Sequence, residues 1–134
     1  MNKIEVKNIA DLTKVIKCIK ESNKNIVILS GTLGSGKTTL VKEFVKSMKI
    51  GENVTSPTFS IQNIYGDNVF HYDLYNKTIN DFLNLGMLEE FEKDGFHFIE
   101  WGEELENYLK QFGIEYLKIE ISLKDNKRIF NCID

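Results

Sequence analysis

The fold class is decided by the stretch Ile26-Val27-Ile28-Leu29-Ser30-Gly31-Thr32-Leu33-Gly34-Ser35-Gly36-Lys37-Thr38. Its first four residues form a short, continuous, mostly β-branched run, which is typical of a strand buried on both faces in a parallel sheet. A glycine-rich turn follows, and apolar side chains then recur at helical spacing over about 37–48. Strand, glycine loop and helix in this order predict an α/β fold built around a phosphate-binding loop.

Residues 31–38 match the pattern G-x-x-x-x-G-K-[ST]. Glycines let the backbone come close to phosphate oxygens, and successive N–H groups at the start of a helix attract anions. The Lys37 ammonium would face the β- and γ-phosphates, and the Thr38 hydroxyl would ligate Mg²⁺. We therefore predict that ATP and Mg²⁺ bind here. The predicted nucleotide contacts are Gly34, Ser35, Gly36, Lys37, Thr38 and Thr39.

Two acidic residues are candidates for the second metal anchor and for ordering the nucleophile. Asp73 ends the apolar run Val69-Phe70-His71-Tyr72, and Glu100 ends Phe96-His97-Phe98-Ile99. Functional groups in α/β sheets collect at the carboxyl ends of strands, where both would lie. The residues alone leave open which of the two holds the metal. We interpret the two histidines in these runs as packing residues.

The remaining patterns complete one α/β domain over 1–134, with a central mixed, mainly parallel sheet flanked by helices. Leu12, Val15, Ile16 and Ile19 give residues 11–20 one apolar helical face. Residues 79–92 have a helical pattern that is interrupted at Gly86, whereas 114–123 and 128–133 are predicted to form a hairpin.

Composition narrows the function classes. The chain has 134 residues, 42% hydrophobic and 28% charged, which suits one globular domain. A net charge of −3 argues against a free-standing nucleic-acid binder, which usually carries a basic face. Neither Cys18 nor Cys132 lies in a metal-binding spacing. The first ten residues lack the apolar core of a secretion signal, and we expect a cytoplasmic protein without a membrane segment.

The segment Thr55-Ser56-Pro57-Thr58-Phe59 follows the phosphate-loop helix. Hydroxyl groups around a proline with fixed φ suit a loop that senses the nucleotide, as in GTPase switches. The same composition also suits a turn that simply enters a strand. Both interpretations remain open from these residues alone.

Taken in order, four motifs resemble the TsaE family of small P-loop ATPases in bacterial tRNA threonylcarbamoyladenosine biosynthesis. They are GTLGSGKTT at 31–39, TSPTF at 55–59, HYDLY at 71–75 and IEW at 99–101. The resemblance covers nearly the whole chain. The first motif is common to many P-loop proteins, whereas the other three at these spacings are more specific.

The resemblance implies a role for each matching position. Lys37 and Thr38 would bind phosphate and Mg²⁺, and Asp73 would stand in the Walker-B-like position needed for hydrolysis. Glu100 would help to hold Mg²⁺, so the implied metal ligands are Thr38 and Glu100. The resemblance also implies a switch-like loop containing Thr55, Ser56 and Thr58, with Trp101 near the site and Thr13 approaching the adenine.

The resemblance further implies an activity and partners. Family members bind a TsaD and TsaB type heterodimer, formed by the threonylcarbamoyl-transferase subunit and its inactive homologue. The heterodimer modifies the adenosine 3′ to the anticodon in tRNAs that read codons starting with A, and ATP hydrolysis resets it. The tRNA would be contacted only indirectly. This chain departs from the family at Asn76, where an arginine is usual, and Arg128 is its only arginine.

Two other functions are compatible with a phosphate-binding loop. A small P-loop kinase acting on a metabolite would need a lid and additional arginines, which a chain of 134 residues with one arginine does not offer. A nucleotide-dependent binding switch without useful hydrolysis is the other alternative. Loss of the Asp73 carboxylate would distinguish the switch from an ATPase.

Overall fold

The computed structural model describes residues 2–32, 34, 36–54 and 61–133, with only the backbone described for Asn2. The strands in these residues are β1 (Asn2–Val6), β2 (Ile26–Ser30), β3 (Gln62–Tyr65), β4 (Val69–Asp73), β5 (Phe96–Glu100), β6 (Leu117–Lys124) and β7 (Lys127–Ile133). The α-helices are α1 (Leu12–Glu21), α2 (Lys37–Ser47), α3 (Ile79–Asn84), α4 (Met87–Glu90) and α5 (Glu103–Gln111).

These strands form one sheet in the order β1-β7-β6-β2-β5-β4-β3. β2 lies between β5 and β6 and is parallel to both, and β5 is also parallel to β4. The outer pairs β1–β7, β6–β7 and β3–β4 are antiparallel. The prediction of a mixed α/β sheet with a parallel centre is therefore confirmed, and the quoted stretch supplies its middle strand.

Helices cover both faces of the sheet, which explains why the apolar run of β2 is continuous. Val27 and Leu29 pack into the core under α1 and α2, whereas Ile26 and Ile28 pack into the core under α3, α4 and α5. Alternate residues of a strand point to opposite faces, so a strand covered on both sides is apolar throughout. The predicted apolar face of α1 is buried in the first of these cores.

One predicted interruption is confirmed, and one predicted boundary differs. The helical pattern of 79–92 divides into α3 and α4 at Gly86, as predicted, because Gly86 has φ 72°. The strand predicted from residue 114 begins at Leu117, because Gly113 turns left-handed after α5 and the Ile114 N–H bonds the Leu109 carbonyl at 2.9 Å. Within the described residues, none of the helices has the length and apolar character needed to span a bilayer.

The parallel centre brings three strand ends to one edge of the sheet. In the register of β4 and β5, Asp73 lies opposite Glu100, and in that of β2 and β5, Leu29 lies opposite Glu100. The glycine-rich loop begins two residues after Leu29. Both predicted acidic residues therefore lie beside the loop, as expected for an α/β sheet.

Candidate functional site

The loop between β2 and α2 has the backbone that its glycines allow. Gly34 has φ 76° and Gly36 has φ 113°, conformations that residues with a side chain rarely adopt. Gly36 is the N-cap of α2 and offers no side chain to bond the N–H groups of the first turn. The N–H groups of a helix's first turn have no partner within the helix, so they can donate to an anion at its N-terminus. Ser35 lies outside the described residues.

Lys37 is a buried cation, with 4% of its surface exposed. Its Nζ donates to the Gly31 carbonyl at 2.7 Å and lies 3.5 Å from the centroid of the Trp101 ring. Burial lowers the pKa of Lys37, while the carboxylates of Glu100, Glu103 and Asp73 act in the opposite direction. A partly desolvated ammonium that carboxylates keep charged is a strong anion-binding group.

Thr38 and Glu100 meet directly. The Thr38 Oγ1 donates to the Glu100 Oε2 at 3.0 Å, and Glu100 is 4% exposed. The same carboxylate oxygen is bonded by the His71 Nε2. A hydroxyl and a carboxylate oxygen are hard donors of the kind that Mg²⁺ prefers.

The donor set leaves room for ligands from a nucleotide. Among the described residues, no group of three or more His, Cys, Asp and Glu side chains is arranged as a ready-made metal site. Mg²⁺ usually keeps waters and takes one or two protein oxygens together with substrate phosphates. Thr38 and Glu100 fit this pattern, and a closed protein cage is not needed.

Asp73 is buried beside Glu100 with its carboxylate held by the backbone. Its Oδ1 accepts the Tyr75 N–H at 2.9 Å, and 5% of its surface is exposed. The Tyr75 ring lies 4.9 Å from the Trp101 ring, so the two aromatic side chains form one wall beside Asp73. Trp101 has φ 61°, an uncommon conformation for a residue with a side chain and one that often marks functional sites.

A cavity of about 430 Å³ joins these groups. It is lined by Gly34, Gly36, Lys37, Thr38, Thr39, Asp73, Tyr75, Asn76, Glu100, Trp101 and Arg128. A neighbouring cavity of about 220 Å³ shares Gly36, Thr39 and Arg128 with the first, and Val6, Leu12 and Phe130 give it apolar walls. The two cavities lie side by side, and the smaller one combines these apolar walls with the polar residues Lys7 and Asn8.

The structure thus brings most of the predicted residues together. Thr13 does not line either cavity; its Oγ1 donates to the Ala10 carbonyl at 2.9 Å, and its neighbour Leu12 faces the smaller cavity. The adenine role of Thr13 stays a prediction. The loop residues Thr55, Ser56 and Thr58 lie outside the described residues.

Besides Tyr75, two residues in this region were not predicted from the residue pattern as parts of the site. The Arg128 Nη2 donates to the Gly34 carbonyl at 3.2 Å, although 94 residues separate them. His71 was interpreted as a packing residue, and it bonds Glu100. A possible signal for His71 was its spacing two residues before Asp73, which puts both side chains on one face of β4.

A parallel sheet core, a glycine loop leading into a helix and two strand-end carboxylates define a P-loop NTPase-like α/β protein. A family model described as "Threonylcarbamoyl adenosine biosynthesis protein TsaE" matches residues 6–130. The chain belongs to the TsaE family.

Individual relatives agree with the family model. A Rickettsia prowazekii protein named "tRNA threonylcarbamoyladenosine biosynthesis protein TsaE" is 36% identical over 134 aligned residues, covering 96% of this chain and 88% of that protein. A Bacillus subtilis protein of the same name is 35% identical over 114 residues, covering 83% and 69%. The crystal structure of Bacillus subtilis YdiB superposes with a TM-score of 0.73 at 27% identity, covering 96% of this chain and 82% of that one.

Proposed function

We propose that this chain binds ATP with Mg²⁺ and hydrolyses it, in support of threonylcarbamoylation of the adenosine 3′ to the anticodon in tRNAs reading codons that start with A. One observation carries the ATPase part of this proposal. Lys37, Thr38, Asp73 and Glu100 come from three separate segments and converge on one cavity at the carboxyl edge of the sheet. Such a set supplies phosphate, metal and nucleophile contacts together.

The nucleotide would lie across both cavities. Its phosphates would enter the larger cavity, where the N–H groups at the start of α2 and the Lys37 ammonium would neutralise charge. Lys37 would exchange its bond to the Gly31 carbonyl for a phosphate oxygen. The base would occupy the smaller cavity against Val6 and Leu12, with Thr39 at the junction of the two cavities.

Thr38 and Glu100 would hold Mg²⁺, which when bound would supply positive charge to offset the charge of the phosphates. Asp73 would accept a hydrogen bond from the attacking water and aim its oxygen at the γ-phosphorus. The new P–O bond would form as the bond from the γ-phosphorus to the β–γ bridging oxygen breaks, so the products are ADP and dihydrogen phosphate, which keeps both protons of the water. The Tyr75 N–H keeps the Asp73 carboxylate in one orientation for this role.

Hydrolysis would serve a partner complex. We propose that the partner is the TsaD and TsaB type heterodimer and that ATP hydrolysis resets it between turnovers. The net charge of −3 supports a subunit that does not itself bind tRNA strongly, so that the heterodimer makes the tRNA contacts. Turnover by the isolated chain would be slow, because its only arginine, Arg128, bonds the Gly34 carbonyl and no further arginine is present to neutralise the charge of the transition state.

The direct test is ATP turnover by the purified chain, with and without the heterodimer and with Mg²⁺ or EDTA. We expect slow Mg²⁺-dependent turnover that rises at least about tenfold with the heterodimer, the direction seen when a partner completes a phosphoryl-transfer site. If turnover does not change and the two do not bind, the partner assignment is wrong. Stimulation by a metabolite instead would favour a small P-loop kinase.

Nucleotide binding should also change the fluorescence of Trp101. Trp101 is the only tryptophan, and the Lys37 ammonium lies over its ring. When the ammonium moves from the ring to bind a phosphate, the electrostatic field at the indole changes. We expect a saturable change in emission on titration with ATP or ADP. Calorimetric binding with an unchanged emission would show that the nucleotide does not reach the Lys37 and Trp101 pair.

A further inference from the structure

His71 lies in β4, one strand in from the edge of the sheet, and has an unusual environment for a polar side chain. It is fully buried in β4, between residues whose side chains are at most 2% exposed. Its Nδ1 is buried and has no hydrogen-bond partner among the described residues. Burying a polar atom without a partner destabilises a fold, so a polar residue at such a position calls for a function.

The other ring nitrogen of His71 bonds the carboxylate that faces Thr38. The Nε2 contacts the Glu100 Oε2, and the same oxygen accepts the Thr38 hydroxyl at 3.0 Å. An ionised carboxylate only accepts hydrogen bonds, so the Nε2 carries the proton and donates. His71 and Thr38 therefore hold this oxygen from two different elements, β4 and α2.

The strand register brings His71 within reach of Glu100. Glu100 is the last residue of β5 and lies opposite Asp73, while His71 lies opposite Phe98 two residues earlier. A glutamate has three side-chain torsions, so its carboxylate can take several orientations unless a partner fixes one of them. The bond from His71 selects one orientation, with the Oε2 next to the Thr38 hydroxyl.

We propose that His71 is a positioning residue that fixes the Glu100 carboxylate as the second protein anchor of Mg²⁺. This inference rests on the proposed function. Partners that orient a ligating group usually change metal affinity by about 10- to 100-fold when removed. His71 would act on the metal through Glu100 and would not touch the nucleotide.

His97 provides a matched control, since it is the other histidine and is equally buried in the neighbouring strand. Both of its nitrogens have structural partners: the Tyr72 hydroxyl lies 2.7 Å from Nδ1, and the Lys93 carbonyl lies 2.9 Å from Nε2. It also stacks on Phe70 with ring centroids 4.4 Å apart. A variant at His97 disturbs the same sheet without touching Glu100.

The experiment compares His71→Asn, His71→Gln and His97→Gln with the unchanged chain. The glutamine amide nitrogen reaches about as far as the Nε2 of histidine, whereas that of asparagine stops near the Nδ1 position. Affinity for a non-hydrolysable ATP analogue is measured by calorimetry with Mg²⁺ and with EDTA, and melting temperature is measured alongside. The quantity of interest is the gain in affinity that Mg²⁺ provides.

We expect His71→Asn to reduce the Mg²⁺-dependent gain by about tenfold or more, with little change in affinity in EDTA. His71→Gln should recover most of the gain, and His97→Gln should keep it even where the melting temperature falls. Equal losses of affinity with Mg²⁺ and with EDTA, or the same loss of affinity in His97→Gln, would show that His71 has only a structural role. If the unchanged chain gains nothing from Mg²⁺, the proposed function itself fails.

Discussion

Replacing Lys37 with alanine should weaken ATP binding by about thirtyfold or more, because removing one partner of a buried charge contact costs roughly 2–5 kcal/mol. Lys37 is the cation buried at the larger cavity, and its Nζ faces Trp101 and the Gly31 carbonyl. Alanine keeps the backbone N–H of residue 37 and removes the ammonium, together with its bond to the Gly31 carbonyl. Calorimetric titration with ATP and Mg²⁺ measures it.

Lys46→Ala is the matched control for this experiment. Lys46 lies in the last turn of the same helix, and its side chain is 65% exposed beside Glu43. An exposed ion pair of this kind contributes little to stability, and it lies away from the loop. We expect Lys46→Ala to bind ATP as the unchanged chain does. Equal affinity in the Lys37 and Lys46 variants would overturn the assignment of the phosphate-binding loop.

Asp73→Asn should reduce ATP turnover by about a hundredfold or more, the range usual for losing a group that assists proton transfer or orients the nucleophile. The amide oxygen can still accept the Tyr75 N–H, so the side chain keeps its place while the negative charge is lost. ATP affinity should hold or rise slightly, because Lys37 loses one competing carboxylate. Single-turnover kinetics with saturating ATP separate the two effects.

Asp67→Asn is the control for Asp73, since Asp67 is exposed in the turn just before the same strand. Unchanged turnover in Asp73→Asn would remove this residue from the hydrolysis step and leave Glu100 as the remaining acidic candidate. The binding-switch function would be favoured if Asp73→Asn abolished ATP turnover while the heterodimer continued to modify tRNA at the full rate.

Much of the fold follows from local pattern. Three predictions depend only on residues close together in sequence, and the structure confirms them. They are the buried strand β2, the helix α1 with one apolar face, and the glycine-rich loop between β2 and α2. The interruption predicted at Gly86 is confirmed as well, whereas the strand predicted from residue 114 begins only at Leu117. Alternation of apolar residues does not reveal that later start, because it is set by the left-handed Gly113 and by the bond from the Ile114 N–H to the Leu109 carbonyl.

The division of roles at the site follows from contacts that are distant in sequence. From the residues alone, Asp73 and Glu100 were equivalent candidates at two strand ends. The structure places the Thr38 hydroxyl on Glu100 across 62 residues, while Asp73 is held by the nearby Tyr75 N–H. The geometry thus supports the metal role of Glu100 and the water-orienting role of Asp73 that we propose.

The sequence by itself determined the type of each central element and the loop that joins them, because these depend on side-chain period and on glycine. It also carried the four motifs by which the chain resembles its family. Only the tertiary structure decided that His71 meets Glu100 and that Arg128 meets Gly34, 29 and 94 residues apart. Such contacts depend on strand order and register, which the whole sheet sets through packing on both faces.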